Sequence, residues 1–327
     1  MNICIITLNP GVDRILYLTA PTAIGGLNRT DHSLVCHGSK GANLSIMLKT
    51  LGADPHYFTF TGGEFGAICD AFTESAGVKC HLCETKCGVR MNTKVIDTQG
   101  NYTEFNERGG PVKPDELKRL MDMIFDENNP KFDIAVITGS FPQGVENSVY
   151  NLLITRFSEI GVPVVLDADG VGMREGLKAR PALIKPNRRE LGGIVGKGED
   201  ELLNDEAVIE ACRRVKNDYG CDVICTLDAD GALYYGGGEE IVRVPAARVE
   251  ARGFTGAGDT FLAAFIYKRF VLGGDIPESM LFATAAAGAK VRKEGTELPT
   301  SEEVEEVFRT LSEIFTLRVS DIHASRE

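Results

Sequence analysis

Apolar and polar positions divide the chain into two kinds of segment, and their order predicts the fold. Short, continuous apolar runs are typical of strands buried on both faces, and they occur at Asn2 to Leu8, 56–62, Asp133 to Thr138, Val162 to Leu166, Leu183 to Pro186 and Asp222 to Leu227. Helical patterns separate them, at Leu44 to Leu51, Phe65 to Ala76, Pro114 to Phe125, Glu146 to Ile160 and Asp205 to Asp218. This alternation predicts an α/β fold in which a parallel sheet is covered by helices on both faces.

Two regions have a different pattern, which predicts a small separate sheet. Residues 14–36 form short Thr- and Ile-bearing segments interrupted by Gly25-Gly26, and residues 89–95 alternate strictly before a hairpin turn at 98–101. We expect segments of about 12–36 and 88–110 to form a β lid inserted into one domain that spans 1–327. The polar tail from Thr316 to Glu327 is expected to be a loose end.

The stretch Gly253 to Thr260 precedes the run Phe261 to Leu272, which is apolar on nearly every side and predicts a buried helix. The unpaired amides at the start of such a helix require an anion, a cap or water. Asp259 lies in the first turn, either as a cap or as a base. Residues 37–43 form a second glycine-rich turn before a helix, which favours anion binding, but neither turn has the spacing of a Walker loop or a dinucleotide motif.

Polar residues follow several predicted strands, where the ligand crevice of an α/β sheet lies: Asp13, Gly139-Ser140, Asp167, Lys185-Pro186-Asn187 and Asp228. Asn187 and Glu190 are spaced either to hold a hydrated Mg²⁺ or to form a helix capping box. Cys80, Cys83 and Cys87 lack a second Cys/His pair for a tetrahedral metal site, so we interpret them as thiols on a strand and its turn.

Composition narrows the classes of molecule that the protein is expected to bind and the cellular compartment in which it is expected. The 327 residues carry a net charge of −12, which argues against nucleic-acid and anionic-membrane partners because both need a basic face. The N-terminus has no pattern of a signal peptide, and the nine cysteines are scattered through apolar segments. These features predict a cytoplasmic protein with reduced thiols.

Nine short motifs, in order, resemble those of the phosphofructokinase-B branch of the ribokinase-like sugar kinases, especially its 1-phosphofructokinase and tagatose-6-phosphate kinase members. They are residues 7–13, Asn28-Arg29, 38–43, 90–92, 103–106, 139–142, 184–187, Glu190 and 256–259. The resemblance implies a three-layer αβα sandwich with a mainly parallel central sheet and a small β lid.

The resemblance also implies roles for individual residues. Asp259 would be the general base, and the amides of Gly256, Ala257 and Gly258 would form the anion hole. Sugar hydroxyls would bind Asp13 and Asn43, and the phosphate already on the substrate would bind Lys40, Arg90 and Arg29, with Gly38, Gly41 and Asn92 completing the substrate site. ATP would contact Lys185, Asn187, Thr226, Asp228, Gly231, Gly256 and Gly258, and Asn187 with Glu190 would position Mg²⁺.

By the same resemblance the reaction is ATP-dependent phosphorylation of a phosphorylated ketohexose, with fructose 1-phosphate ahead of tagatose 6-phosphate or fructose 6-phosphate, in a homodimer paired through the lid. A kinase for neutral sugars or nucleosides is disfavoured because Lys40 and Arg90 would be left as unpaired buried cations. A catalytically weak protein that binds or senses sugar phosphates is the alternative from another class.

Three departures from the family pattern bear on these roles. Ser39 replaces a glycine and is expected to add a side chain where the sugar approaches the backbone. Asp228 replaces a glycine near the expected nucleotide phosphates, and its charge is expected to weaken binding by repulsion. Arg252-Gly253-Phe254 stands where small polar residues are usual, before the predicted anion hole.

Overall fold

The computed structural model describes residues 1–237 and 240–324, with side chains described as far as residue 313. In chain order the strands are β1 (Ile3–Thr7), β2 (Gly11–Leu18), β3 (Thr30–His37), β4 (Pro55–Thr61), β5 (Lys79–Glu84), β6 (Arg90–Ile96), β7 (Tyr102–Asn106), β8 (Ile134–Thr138), β9 (Val164–Asp167), β10 (Leu183–Ile184), β11 (Asp222–Thr226), β12 (Ala232–Gly237) and β13 (Glu240–Val244). The helices are α1 (Lys40–Thr50), α2 (Gly63–Ser75), α3 (Pro114–Ile124), α4 (Val149–Glu159), α5 (Gly170–Leu177), α6 (Arg188–Val195), α7 (Asp205–Tyr219), α8 (Ala257–Ile266), α9 (Ile276–Val291) and α10 (Ser301–Ala324).

The central sheet contains nine strands in the order β13-β12-β11-β10-β9-β8-β1-β4-β5. All neighbours from β11 to β5 are parallel, and only β12 runs antiparallel to the strands beside it. This is the predicted α/β fold. The carboxyl ends of the other eight strands therefore meet at one edge of the sheet.

Two hydrophobic clusters cover the two faces of this sheet, which makes the molecule three-layered. On β1, Ile3 and Ile5 belong to the cluster built with α1, α8, α9 and α10, whereas Cys4 and Ile6 belong to the cluster built with α3 to α7. Successive side chains of a strand point to opposite faces, so a strand covered on both sides needs an unbroken apolar run. The continuous pattern of residues 3–7 is thus explained.

The lid is a separate four-stranded sheet in the order β3-β2-β6-β7. β2 and β6 are parallel, and the outer strands pair with them antiparallel. Its strands come from the two segments that the sequence predicts. All five residues of β7 are exposed, so this edge of the lid faces outward.

Several sequence-based boundaries were wrong, and packing explains them. Helix α1 begins at Lys40 and not at Leu44, so Gly41 lies inside its first turn. A β-carbon at Gly41 would overlap the side chains of Thr7 and Tyr57, which explains a glycine inside the helix. The sequence pattern also failed to predict four whole elements, namely the strands β12 and β13 and the helices α5 and α9. The tail was expected to be a loose end, but α10 extends to Ala324, and residues 325–327 lie outside the described part.

Within the described part, no helix combines the length and apolar character needed to cross a bilayer.

Candidate active site

The predicted crevice lies at the carboxyl edge of the central sheet. Asp167 ends β9, Lys185 directly follows β10 and Thr226 ends β11. The N-termini of α1 and α8 bring Lys40 and Asp259 into contact with this group. Residues far apart in sequence therefore form one polar cluster inside an apolar sandwich.

Asp259 is buried in the first turn of α8, after Gly256, whose φ of 83° suits glycine. One of its oxygens, Oδ2, accepts a hydrogen bond of 2.6 Å from Asn43 Nδ2. The Asn43 Oδ1 atom contacts His37 Nδ1, which fixes the amide from its other end. Burial and the neighbouring Asp167 raise the pKa of Asp259 against the opposing effect of Lys40. The carboxylate is held in one orientation with its second oxygen available.

The three amides predicted to form the anion hole are not equivalent. Ala257 donates its N–H to the Phe254 carbonyl at 3.1 Å, whereas the amides of Gly256 and Gly258 have no backbone acceptor among the described residues. A β-carbon at Gly258 would lie 3.4 Å from Lys185 Nζ, so the buried ammonium is close to the free amide. Gly256 and Gly258, together with Lys185, offer positive charge to an anion here.

Asp167, which the sequence placed at the predicted crevice without a role, lies between two lysines. Its Oδ1 atom is 3.3 Å from Lys40 Nζ and 3.4 Å from Lys185 Nζ. Burial by itself raises the pKa of Asp167, but Lys185 and Lys40 outweigh it and hold the pKa below its ordinary value. In the sequence, the position of Asp167 directly after an apolar strand indicated that it lies at the crevice. Only the fold shows which lysines it pairs with.

Asp13 lies on β2 and forms an ion pair with Lys94 of β6, a residue that sequence reasoning missed. Asn92 Nδ2 also donates to Asp13 Oδ1 at 2.9 Å. Asp13, Asn92 and Lys94 are all buried. The signal in the sequence was the alternation of Arg90, Asn92 and Lys94, because residues two apart on a strand share one face.

Two buried polar atoms beside Asp13 have no hydrogen-bond partner in the described structure, namely Arg90 Nε and Asn92 Oδ1. Arg90 uses another nitrogen to donate to the Glu107 carbonyl at 2.6 Å, and burial lowers its pKa. Buried polar groups without partners are rare, so these atoms point to a ligand that supplies both an acceptor and a donor.

Lys40 and Arg90, predicted to grip the same phosphate, face different carboxylates. The electrostatic neighbours of Lys40 are Asp167, Asp259 and Glu190, whereas those of Arg90 are Asp13, Glu107 and Asp169. Burial lowers the pKa of Lys40, but its carboxylate neighbours raise the pKa by more. Lys40 is therefore charged at neutral pH. The structure therefore puts Lys40 on the side of Asp259 and Arg90 on the side of Asp13.

The turn before α1 shows why glycines are required there. A β-carbon at Gly38 would overlap the Asp13 carboxylate, and Gly41 is equally confined. The Ser39 side chain does not project toward a ligand as expected, because its hydroxyl is 2.9 Å from the Tyr57 hydroxyl in the core. Arg29 is exposed on the loop before β3 and is not brought into the cluster, so its role stays a prediction.

Asn187 and Glu190 form the capping box that was one of the two predicted arrangements. Glu190 N–H donates to Asn187 Oδ1 at 2.8 Å, and Asn187 N–H donates to Glu190 Oε2 at 2.9 Å. The other carboxylate oxygen of Glu190 accepts no hydrogen bond in the described structure, so the pair fits a hydrated Mg²⁺ through its water shell. Within the described residues, no three His, Cys, Asp or Glu side chains are grouped to bind a metal directly.

The remaining predicted nucleotide residues lie beside this cap. Thr226 forms an isolated parallel bridge with Asn187. Asp228 is exposed and has a φ of 50°, a left-handed conformation that explains why glycine suits this position and which Asp tolerates better than most residues. A β-carbon at Gly231 would overlap the Val244 carbonyl, so this glycine is needed for packing.

The unusual segment Arg252-Gly253-Phe254 rests on the end of α9. The amides of Arg252 and Gly253 donate to the Val291 carbonyl at 2.6 and 3.2 Å. A β-carbon at Gly253 would lie 2.8 Å from the Lys293 carbonyl, which explains the glycine. Phe254 is 76% exposed.

A surface cavity of about 1080 Å³ lies between residues 247–252 and the start of α10. None of the predicted site residues lines it, and its walls carry mixed, solvent-facing charges. The buried, convergent side chains, and not the size of a cavity, therefore identify the candidate site.

Comparison with known proteins agrees with this geometry. The sequence model described as pfkB family carbohydrate kinase matches residues 7–303. The 1-phosphofructokinase of Borreliella burgdorferi is 28% identical over 320 residues, which cover 98% of this chain and 99% of that protein. The 1-phosphofructokinase of Haemophilus influenzae is 28% identical over 292 residues, 89% and 91% of the two chains. Phosphofructokinase-2 of Escherichia coli, solved in complex with substrates and products, has a TM-score of 0.85 at 23% identity, with 95% of this chain and 100% of that chain covered.

The Asp167 ion pairs lead to a stability prediction. We expect Asp167→Asn to lower the free energy of unfolding by about 3 kcal/mol, because it leaves a buried lysine without its carboxylate. The folded pKa of Asp167 is below the unfolded one, so its contribution is present above the unfolded pKa and is lost as the pH falls toward the folded pKa. Urea unfolding of both proteins between pH 7 and pH 3 measures this difference.

Asp54→Asn is the matched control, because Asp54 also lies between two lysines, Lys49 and Lys79, but is 47% exposed. Its loss is expected to stay below about 1 kcal/mol. Equal losses for the two variants would contradict the buried-charge account.

Proposed function

The chain belongs to the pfkB family of carbohydrate kinases, and from this premise we propose that it transfers the γ-phosphoryl group of ATP to a phosphorylated ketohexose. Fructose 1-phosphate is the proposed substrate and fructose 1,6-bisphosphate the product. The relatives named 1-phosphofructokinase support this choice over tagatose 6-phosphate and fructose 6-phosphate.

The observation that carries the proposal is the pair of buried, unpartnered atoms beside Asp13. Arg90 Nε is a charged donor and Asn92 Oδ1 is an acceptor. A sugar phosphate supplies both complements, since its phosphate oxygens accept from arginine and its hydroxyls donate to the amide. A neutral sugar would leave Arg90 Nε without an anionic acceptor, which is costly in a buried site.

Asp259 is the proposed general base. Its Oδ2 atom is held by Asn43, so the free Oδ1 atom is left to accept the proton of the attacking sugar hydroxyl. The oxygen of that hydroxyl then bonds to the γ-phosphorus, and the bond to ADP breaks with its electron pair on the β-phosphate oxygen. The raised pKa of Asp259 makes it a better proton acceptor at neutral pH than an ordinary carboxylate.

The positive groups around Asp259 would stabilise the phosphoryl group in transit. The free amides of Gly256 and Gly258 face an anion together with Lys185, and Lys40 is held nearby by Asp167. Because the fold and the Asp167 ion pairs hold these groups in place, little reorganisation is needed when negative charge moves between the two oxygens. We assign Lys40 to the transferred phosphoryl and Arg90 to the phosphate already on the sugar.

ATP is the proposed donor, with its phosphates near Lys185, Thr226 and Gly231. Asn187 and Glu190 would hold Mg²⁺ through water, and the ion would neutralise phosphate charge when bound. Asp228 is exposed, so solvent screens its charge and its repulsion of the nucleotide is small. This supports a kinase over a protein that only senses sugar phosphates.

The lid is the proposed dimer interface. Its outer strand β7 is exposed throughout, with Tyr102 46% and Phe105 61% exposed, and Val35 on β3 is 48% exposed. An exposed strand edge with large apolar side chains favours pairing with another chain. Two copies joined through their lids would cover these side chains and exclude water from the sugar.

The role of Asp259 predicts a loss of turnover without a loss of binding. We expect Asp259→Asn to lower kcat by at least about 10²-fold, because the amide cannot accept the proton. Burial disfavours the charge of Asp259, so the variant should unfold at the same temperature as the wild type or higher. A coupled ADP assay, calorimetry with Mg-ATP and with fructose 1-phosphate, and thermal unfolding measure the three quantities. The expected loss of kcat is at least about 10²-fold. If the Asn variant instead kept about one tenth of the wild-type kcat or more, Asp259 would be excluded as the general base.

The role of Arg90 predicts selective damage to phosphorylated substrates. We expect Arg90→Gln to raise KM for fructose 1-phosphate roughly 10- to 100-fold, the value of one charged hydrogen bond, and to leave kcat/KM for free fructose equal to that of the wild type. The assay covers fructose 1-phosphate, fructose 6-phosphate, tagatose 6-phosphate and free fructose. Arg14→Gln is the control, because Arg14 is exposed beside Asp13. Equal damage to phosphorylated and neutral sugars would contradict the phosphate role.

The proposed dimer interface predicts that a charged substitution in the lid converts the protein from two associated chains to one. We expect the wild type to sediment with the mass of two chains and Phe105→Lys to sediment as one, because the new charge would be buried between the lids. Leu203→Lys, which changes an exposed apolar residue outside the lid, should remain a dimer. A monomeric wild type, or a dimeric Phe105→Lys, would contradict this interface.

A further inference from the structure

Lys290 is a fully buried cation that the proposed reaction leaves without a role. It lies in the last turn of α9 and is 0% exposed. The buried Lys94 and Lys185 each pair with a carboxylate, but Lys290 has no ion pair in the described structure and donates one hydrogen bond, to the Gly295 carbonyl at 3.0 Å. A buried ammonium without an anionic partner opposes folding, so its presence calls for a functional reason.

The ammonium lies beneath the start of α8. A β-carbon at Gly256 would be 3.7 Å from Lys290 Cε, so the lysine side chain packs against the backbone of this glycine, the first residue of the proposed anion hole. The preceding residues Arg252 and Gly253 are bonded to the Val291 carbonyl, one residue beyond Lys290. The loop that leads into α8 therefore rests on the part of α9 that carries the lysine.

The turn that accepts the hydrogen bond also contacts the lid. A β-carbon at Gly295 would lie 3.1 Å from Ile15 Cδ1 on β2 and 3.6 Å from Cys36 Sγ on β3. In the same turn, Thr296 Oγ1 is buried and has no hydrogen-bond partner in the described structure. Lys290 thus stands where the anion-hole loop, the turn after α9 and the lid meet.

We propose that Lys290 is a positioning residue for phosphoryl transfer, whose ammonium serves as an internal cation beside Gly256, at the start of the proposed anion hole. It would fix the turn at Gly295 against the loop before α8 and favour negative charge at the free amides. The inference rests on the proposed role of these amides. The Lys290 ammonium would stabilise the phosphoryl group most when that group carries its greatest negative charge. Loss of the ammonium should therefore lower kcat more than it weakens substrate binding.

The charge state of Lys290 agrees with this role. Burial lowers the pKa of Lys290 to about 8, so it is charged at neutral pH. The titratable and charged groups around it are Asp259 on α8, Cys36 and His37 on β3, Lys94 on β6 and Glu297 after the turn. Because the folded pKa is below the unfolded one, the ammonium costs stability at pH values below about 8, and this cost disappears as the pH rises toward the ordinary value of 10.5.

Lys290→Met tests the proposal because methionine keeps an unbranched chain and removes the charge. We expect kcat at pH 7 to fall at least about tenfold while KM for ATP and for the sugar phosphate stays within a few-fold. The temperature of unfolding should be unchanged or higher, since a buried charge is removed. The wild type should also lose kcat as the pH rises through about 8, and the variant should not.

Lys293→Met is the matched control, one turn further along, where the lysine pairs on the surface with Glu297 and Glu303. We expect it to keep wild-type kcat. Lys290→Ala leaves a cavity in place of the buried side chain. This variant should regain part of its kcat in saturable fashion with ethylammonium or propylammonium, and tetramethylammonium at equal ionic strength should not restore it.

Two results would overturn the proposal: wild-type kcat in Lys290→Met, or a loss of kcat that follows a loss of folded protein and does not respond to the amines. Failure of the proposed substrate gives a different result, because the wild type itself would then be inactive on fructose 1-phosphate. In that case the same variants are compared on whichever sugar of the panel the wild type phosphorylates.

Discussion

The hydrogen bond between Asn43 and Asp259 is the constraint on which the candidate site depends. It joins the first turn of α1 to the first turn of α8, across 216 positions of sequence. Both helices start at the carboxyl edge of the sheet, so their unpaired amides and the side chains of their first turns face each other. Any change that moves one helix along the other would separate the proposed base from the sugar-binding turn.

Electrostatics then gives two neighbouring carboxylates opposite roles. Asp167 and Asp259 share the field of Lys40 and Lys185, but only Asp167 contacts both lysines directly and its pKa is lowered. Asp259 is left with an amide as its partner, and its pKa is raised. One carboxylate thereby anchors the cations, and the raised pKa of the other suits the proposed general base.

The lid contributes several side chains to the candidate site, and three of them lie on one face of β6. Arg90, Asn92 and Lys94 follow one another at intervals of two along β6, and the parallel pairing of β6 with β2 sets all three beside Asp13. Lys94 neutralises Asp13, while Arg90 and Asn92 keep an unpaired atom each. A small sheet therefore holds both the structural ion pair and the open ligand contacts, because alternate residues of a strand share a face.

Local pattern was enough to determine the parallel sheet, the lid segments and the glycine turns before α1 and α8, because burial on two faces requires continuous apolar strands and close backbone approach requires glycine. The helix α10 and the strands β12 and β13 escaped it, since α10 packs against α9 and the two strands extend the sheet beyond β11, and both arrangements depend on contacts between elements. The sequence also placed Asp259 in the first turn of a buried helix, where the structure has it, whereas Asp13 lies inside β2 and not on the turn after β1. Only the tertiary structure decided which charges meet: that Lys40 faces Asp167, that Lys94 pairs with Asp13, that Ser39 turns to Tyr57, and that Lys290 is buried under Gly256. Ion pairs and buried charges depend on distances between residues far apart in the chain, and no local pattern carries that information.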